Sequence, residues 1–337
     1  MKISPNGLNK SYLLFFIFIL ILPSGCLRTG PARDDDKITV VSLIFPSYDF
    51  IRVIAGDRVN LILLTSPGME SHSFEPSPRD LINIRESDLF IYPGGEGSAW
   101  MNRVLESLEL SNSQTIILSL LDMVEALEEE FVEGMEVSYL HDHDDHDHDE
   151  HEHDDHHHEE APDLDEHVWT YPGNAILIVN ELAEILSELD PDNAYFYRQN
   201  AAEYIAQLRE LDAAFRDLVN NARRHTLIVG DRFPFRYLAH HYGLNYYAAF
   251  SGCSTSTEPS AASVAFLINQ VRNEAIPVVF HIELSNERIA DIISEATGAR
   301  KLLLHSAHNL SMGDFNRRLG YLDIQRQNLE NLREALW

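Results

Sequence analysis

KITVVSLIFPSYDFIRVIAGDRVNLILL, residues 37 to 64, is the stretch that sets the fold. Lys37 to Phe45 is β-rich and mostly apolar, as a strand buried in a parallel sheet must be. Pro46 ends it, Tyr48 to Ala55 then carries apolar residues at helical spacing, and Gly56-Asp57 closes that helix. Val59 to Leu64 reads as a second strand, so strand, helix and strand follow one another in 28 residues as a βαβ unit.

The alternation continues outward. A helix over Pro78 to Glu86, a strand over Leu89 to Tyr92, a turn at Pro93-Gly94-Gly95, a helix from about Ser98 to Leu108 and a strand near Thr115 to Leu118 complete a first α/β lobe. Leu120 to Glu130 reads as helical. Asn174 to Leu189 is another helix, and Asp190-Pro191 supplies a cap and first residue for the next. In that next helix Tyr197, Ala201, Tyr204, Leu208, Leu211, Phe215 and Leu218 form one apolar stripe through about residue 222. At 1.5 Å per residue it spans roughly 46 Å. A second series follows, with strands at Thr226 to Val229, near Asn245 to Ala249, at Pro277 to Ile282 and at Lys301 to Leu304. The helices between them are expected at Phe235 to Tyr242, Ser260 to Glu274 and Asn286 to Thr297. At 337 residues, 45% hydrophobic and 23% charged, the chain can bury two cores.

The formal charge of -29 makes nucleic acid an unsuitable partner and favours dissolved cations near the surface. Eleven of those charges lie in one run, His141 to Glu160, which contains nothing but histidine, aspartate and glutamate. Its histidines are His141, His143, His146, His148, His151, His153, His156, His157 and His158. Neutral imidazole is the commonest ligand for zinc and its neighbours, and carboxylates add charge attraction. The run has no apolar residue to bury, so it is expected to be a solvated loop that gathers metal without one fixed geometry. The alternative is an acidic spacer that meets metal only incidentally.

At the N-terminus, Lys2 and Lys10 precede an apolar run from Tyr12 to Leu22 and then Pro23-Ser24-Gly25-Cys26. Eleven apolar residues are too few to cross a bilayer, which needs about 20, and match the centre of an export signal. A small residue before a cysteine resembles the lipobox of bacterial lipoproteins, which makes Cys26 the acylated anchor. Leu22 stands four residues before that cysteine where the usual box has leucine at three, and an ordinary cleaved signal is the alternative. Cys253 is then the only cysteine left, so no intramolecular disulfide is available in the mature chain.

Four segments, Phe45-Pro46-Ser47-Tyr48-Asp49-Phe50, Ala55-Gly56-Asp57, Ser71-His72-Ser73-Phe74-Glu75-Pro76-Ser77-Pro78 and Ser87-Asp88-Leu89-Phe90-Ile91-Tyr92, resemble the metal-binding lipoproteins of zinc and manganese ABC importers. The resemblance covers nearly all of residues 38 to 337. It implies His72 as a first metal ligand, on the loop after the second strand. Asp165-Glu166-His167-Val168-Trp169-Thr170-Tyr171-Pro172 resembles the family's Asp-x-His-x-Trp-x-x-Pro motif and implies His167 as a second. A His-rich insertion at this place is a habit of the zinc-binding members. The family's third ligand is a histidine after the first strand of the second lobe, where this chain has Gly230-Asp231-Arg232. Asp231 is the candidate substitute, with a cap or a partner for Arg232 as the other reading. The family's last ligand is a carboxylate at the end of the final strand, where His305 stands. His308, three residues on, can face the same ion if the segment begins a helix, or can simply cap or hydrogen-bond. Glu283 is a further oxygen candidate.

The resemblance implies two Rossmann-like lobes of parallel sheet flanked by helices, joined by the long helix, with the metal in the cleft between them. The expected divisions are a signal peptide over 1–25, a tether over 26–36 and an N-terminal lobe over 37–189, with its insertion at about 131–164. The linking helix over 190–222 and a C-terminal lobe over 223–337 follow. The implied role is the monomeric, exported solute-binding component of an importer, anchored at the membrane by lipid and facing the periplasm or cell exterior. It would take zinc, or alternatively manganese, and hand it to a membrane permease driven by an ATPase. A zinc hydrolase is disfavoured because neither His-Glu-x-x-His nor Gly-x-Ser-x-Gly occurs. Surface adhesion is the remaining alternative.

Overall fold

The computed structural model describes residues 36–70, 74–95, 99–110, 114–135, 163–254 and 258–337. The described residues form one compact unit. Strand β1 (Thr39–Ser42) is buried at every position, which is why its sequence is uninterrupted Thr-Val-Val-Ser. Helix α1 (Phe45–Ala55) starts with proline in its first turn, where the missing N–H costs no helical bond. Strand β2 (Asn60–Leu63), helix α2 (Pro78–Arg85), strand β3 (Leu89–Tyr92), helix α3 (Ala99–Leu110) and strand β4 (Ile116–Ser119) complete the first series. All pairings are parallel, in the order β2-β1-β3-β4.

Helices α4 (Pro172–Leu189) and α5 (Ala194–Asn220) then pack on one another. α5 has 27 residues, about 40 Å at 1.5 Å per residue, and every residue of the apolar stripe expected from the sequence is buried. The second series is β5 (Thr226–Phe233), α6 (Arg236–Tyr242), β6 (Asn245–Ser251), α7 (Ala261–Asn273), β7 (Val278–His281), α8 (Arg288–Thr297) and β8 (Arg300–Leu303). It repeats the first topology in the order β6-β5-β7-β8. Helices α9 (Met312–Asn316) and α10 (Tyr321–Leu336) end the chain, with α10 against both α5 and α1. The fold expected from the sequence, two parallel-sheet lobes with a long helix, is the fold observed.

Two local differences matter for the site. Leu120 to Glu130 is helical only over the single turn Leu121–Met123. Its backbone groups are committed elsewhere: Glu129 N–H donates to the Asp163 carbonyl and Leu127 C=O accepts from Asp165 N–H, both at 2.9 Å. The chain entering the acidic insertion is thereby paired with the chain leaving it. Strand β5 runs four residues beyond Val229, through an irregularity that holds Gly230 and Asp231. Glycine is required there, because a Cβ at position 230 would lie 2.6 Å from the Ala290 backbone nitrogen.

The two series are tied where their strands end. Trp169 Nε1 donates to Ser306 O at 2.8 Å, Tyr321 Oη donates to Trp169 O at 2.6 Å, and Tyr321 N–H donates to Asp49 Oδ2 at 2.8 Å. In open parallel sheets, ligands are taken outside the carboxyl ends of the strands, and the Trp169–Ser306 bond joins the segment before α4 to the one that follows β8.

Candidate metal centre

His167 is fully buried. Its N–H donates to Asp165 Oδ1 at 2.8 Å, and its ring Nδ1 lies 3.1 Å from the same oxygen. One carboxylate oxygen therefore fixes both the backbone and the ring and leaves Nε2 as the nitrogen presented to an ion, the usual arrangement for a metal-binding histidine. Burial alone would lower the imidazole pKa, but the charge and hydrogen bond of Asp165, helped by Glu166, raise it above its ordinary value.

His308 reaches the same place from the other lobe, with its ring centroid 5.2 Å from that of His167 and 5.0 Å from that of Trp169. The turn that delivers it has Ala307 at φ 62°, in the left-handed region. Glu283 anchors this turn: its carboxylate accepts from Ser306 N–H at 2.8 Å, His308 N–H at 3.1 Å and the Ser306 hydroxyl.

Glu166 is the third member. One ligand atom each from Glu166, His167 and His308 lie within 4.8 Å of one another, and all three residues are buried. Burial pushes the Glu166 carboxyl up to about 7, with Asp165 and Glu129 adding to the rise and His167 opposing it. A cavity of about 20 Å³ opens beside the histidines, lined among others by His167, His308, Glu70, Arg232, Glu283 and Ser306. A space of that size holds one water-sized body, an ion and not an organic solute. A larger groove of about 380 Å³ between α7 and α8 is lined by residues such as Val264, Ile268, Ile289 and Ile292, with no histidine among its lining.

The structure thus brings His167 and His308 together, leaves His305 and Asp231 outside the cluster they form with Glu166, and engages Glu283 with the His308 backbone. His305 Nδ1 accepts from Ala307 N–H at 3.0 Å, while its backbone N–H and C=O are both held by Asn328 at 2.8 Å. The segment is a turn and not a helix start, so the two histidines three apart diverge. Asp231 Oδ1 accepts from Arg232 N–H at 2.9 Å, and its carboxyl also meets the Ser285 hydroxyl. Burial raises that carboxyl above its ordinary value against those two bonds. Glu283 lines the cavity but spends its oxygens on the turn. His72, the nine histidines of the acidic run and Cys26 lie outside the described residues. Burial, with the charges of Glu166, Asp165 and Glu129, pushes the Cys253 thiol well above the usual range, and its sulfur is not among the ligand atoms gathered at Glu166, His167 and His308.

Glu166 was passed over in the sequence because it fills the variable position of the Asp-x-His motif. The signal available was a carboxylate where a spacer was expected. Arg232 was read only as a partner for Asp231; its guanidinium instead reaches across the cleft to Glu70 Oε2 at 2.7 Å.

Residues 40–335 match the family model described as zinc-uptake complex component A, periplasmic. The high-affinity zinc uptake system protein ZnuA of Bacillus subtilis is 31% identical over 328 residues, 96% of this chain and 96% of that protein. The zinc-binding lipoprotein AdcA of Streptococcus pneumoniae is 31% identical over 89% of this chain, which spans 56% of AdcA, about half its length. The crystal structure of the Zn(II)-bound ZnuA-like domain of that AdcA aligns over 89% of this chain and 99% of the domain, with TM-score 0.69 and 26% identity.

Proposed function

This chain belongs to the family of periplasmic zinc-uptake component A proteins, and from that membership we propose that it is the extracytoplasmic solute-binding component of an ABC importer. It captures one zinc ion in the cleft between its lobes and delivers it to a membrane permease. The observation that carries this reading is the meeting of His167 and His308, from opposite lobes, beside a buried carboxylate and a one-ion cavity. Two imidazoles with an oxygen ligand in a buried site suit zinc in tetrahedral geometry, whereas manganese favours a more open, carboxylate-rich set. His72 is the further nitrogen ligand on this reading. The chain binds and hands over its cargo and is not an enzyme.

Finer features belong to the same proposal: a cytoplasmic ATPase that drives the permease, acylation of Cys26 as the anchor, and a monomeric state. No helix among the described residues is long and apolar enough to cross a membrane. The acidic run serves as a weak gathering station. It departs from and returns to the paired segments at Glu128 and Leu164, and the returning segment leads at once into Asp165, Glu166 and His167.

Competitive chelator titration with zinc and manganese, on the mature chain with and without residues 141–160, tests this reading. One tight zinc equivalent should survive the deletion while weakly held ions are lost. Disappearance of the tight site with the run would overturn it.

A further inference from the structure

We propose that Glu166 is a direct oxygen ligand of the transported ion, so that two adjacent residues, 166 and 167, share the metal with His308. The inference rests on the import reading and deepens it.

Neighbouring side chains in an extended segment point to opposite sides. At this point the chain is not extended. His167 has φ -81° and ψ 43°, and Val168 N–H donates to Glu166 O at 2.9 Å. That is the geometry of an inverse γ-turn, which reverses direction over three residues. The reversal, clamped by Asp165 on the His167 N–H and ring, lets the carboxylate of 166 and the imidazole of 167 converge.

The rest of the centre needs such a ligand. Zinc prefers four ligands at about 2.0–2.2 Å, which places ligand atoms roughly 3.4 Å apart in a tetrahedron. The three ligand atoms lie within 4.8 Å of one another, somewhat wider than that spacing and in one place. In the C-terminal lobe, Asp231, Glu283 and His305 are turned to Ser285, to Ser306 with the His308 N–H, and to Ala307, which leaves His308 as that lobe's contribution. Arg232 lines the cavity with its charge paired to Glu70 Oε2 at 2.7 Å. A carboxylate in direct contact with the ion brings the negative charge that two neutral imidazoles do not supply.

The test uses the full mature chain with one equivalent of zinc, or of cobalt(II) as a spectroscopic probe. Even changes to groups that merely orient a ligand cost about 10–100-fold in affinity, so Glu166→Gln is expected to weaken zinc more than about 100-fold and to move the cobalt ligand-field bands. Glu166→Asp should recover part of both, which separates loss of a ligand from loss of folding. Zinc affinity within about threefold of wild type, smaller than an orienting group would give, would overturn the assignment. So would a weaker site with an unchanged cobalt spectrum, because it would make Glu166 a support and not a ligand. A wild-type chain without a tight zinc site would instead remove the import reading beneath both.

Discussion

The N-terminal and C-terminal sheets share one strand order and place their carboxyl ends at the same cleft, yet they treat the residues there in opposite ways. In the first lobe β1 stops at Ser42, and the segment before α4 forms the tight turn that presents the buried Glu166 and His167 to the cleft. In the second lobe β5 continues to Phe233, so the residues that could have formed a ligand loop are held in the sheet. Asp231 is caught in the irregularity of that strand, and Arg232 emerges with a cation where a ligand was expected. Equal topology therefore gives unequal chemistry, because a ladder hydrogen bond and a ligand loop compete for the same few residues at a strand end. On the proposed reading the first lobe offers the ion several groups and the second offers His308.

The sharpest way to break this contrast is to exchange the roles assigned to the two histidines of the second lobe. His308→Ala removes a nitrogen that faces His167 and should lower zinc affinity more than about 100-fold, beyond the 10–100-fold of an orienting group. His305→Ala removes a ring whose Nδ1 holds the turn, so its effect on zinc should fall within that lower range or beneath it. Chelator competition on both variants decides the matter. A larger loss in His305→Ala would mean that the turn at Ala307 is not the one used with metal bound.

The fold was legible because it rests on patterns that survive any packing detail. The apolar run at Lys37 to Phe45, the stripe from Tyr197 to Leu218 and the alternation through Leu304 each require a buried strand or helix, although the first strand covers only Thr39–Ser42 and Phe45 already begins α1. His167 is a candidate by its motif and His308 only an alternative, and the structure brings the two side chains together. What could not be read was orientation. Whether His305 or His308 faces the ion turns on one backbone angle at Ala307, a residue whose type does not advertise a left-handed conformation. Glu166 depends on a γ-turn at a histidine, and Asp231 on how far β5 runs. The helix expected over Leu120 to Glu130 failed for a related reason, since pairing with Asp163 and Asp165 outweighed local preference.

A milder perturbation asks whether the second lobe also governs the loop that leads to His72. Asn309, next to His308, donates from Nδ2 to Ser66 O and Met69 O, both at 2.9 Å, and Gly68 N–H donates to Leu310 O at 2.6 Å. Asn309→Ala leaves two carbonyls of the first lobe without that donor, at about 0.5–1.5 kcal/mol each, so roughly 1–3 kcal/mol of stability should be lost. Urea unfolding of the metal-free chain measures this directly, and faster release of zinc to a chelator should accompany it. Unaltered stability would show that the two lobes set their loops independently.

The smallest effect separates two caps that the lobes share. The loop after β2 ends at Ser77, which caps α2 with Asp80 as reciprocal partner, and the loop after β8 ends at Ser311, which caps α9 with Asp314. Replacing either serine with alanine should cost about 1 kcal/mol, less at the exposed Ser77. The second cap should carry an acid signature. The Ser311 hydroxyl, with Arg317 beside it, holds the Asp314 carboxyl below its ordinary 3.8 against the opposing effect of burial. A carboxyl with a depressed pKa binds fewer protons in the folded chain than in the unfolded one. Its contribution is therefore complete above 3.8 and is lost as pH falls through the lower, folded value. Ser311→Ala removes the largest cause of that depression, so the gap between wild type and variant should narrow on going from neutral pH to about pH 3. A denaturation series over that range reads it, and a gap that stayed constant would show that the cap acts on the α9 backbone alone.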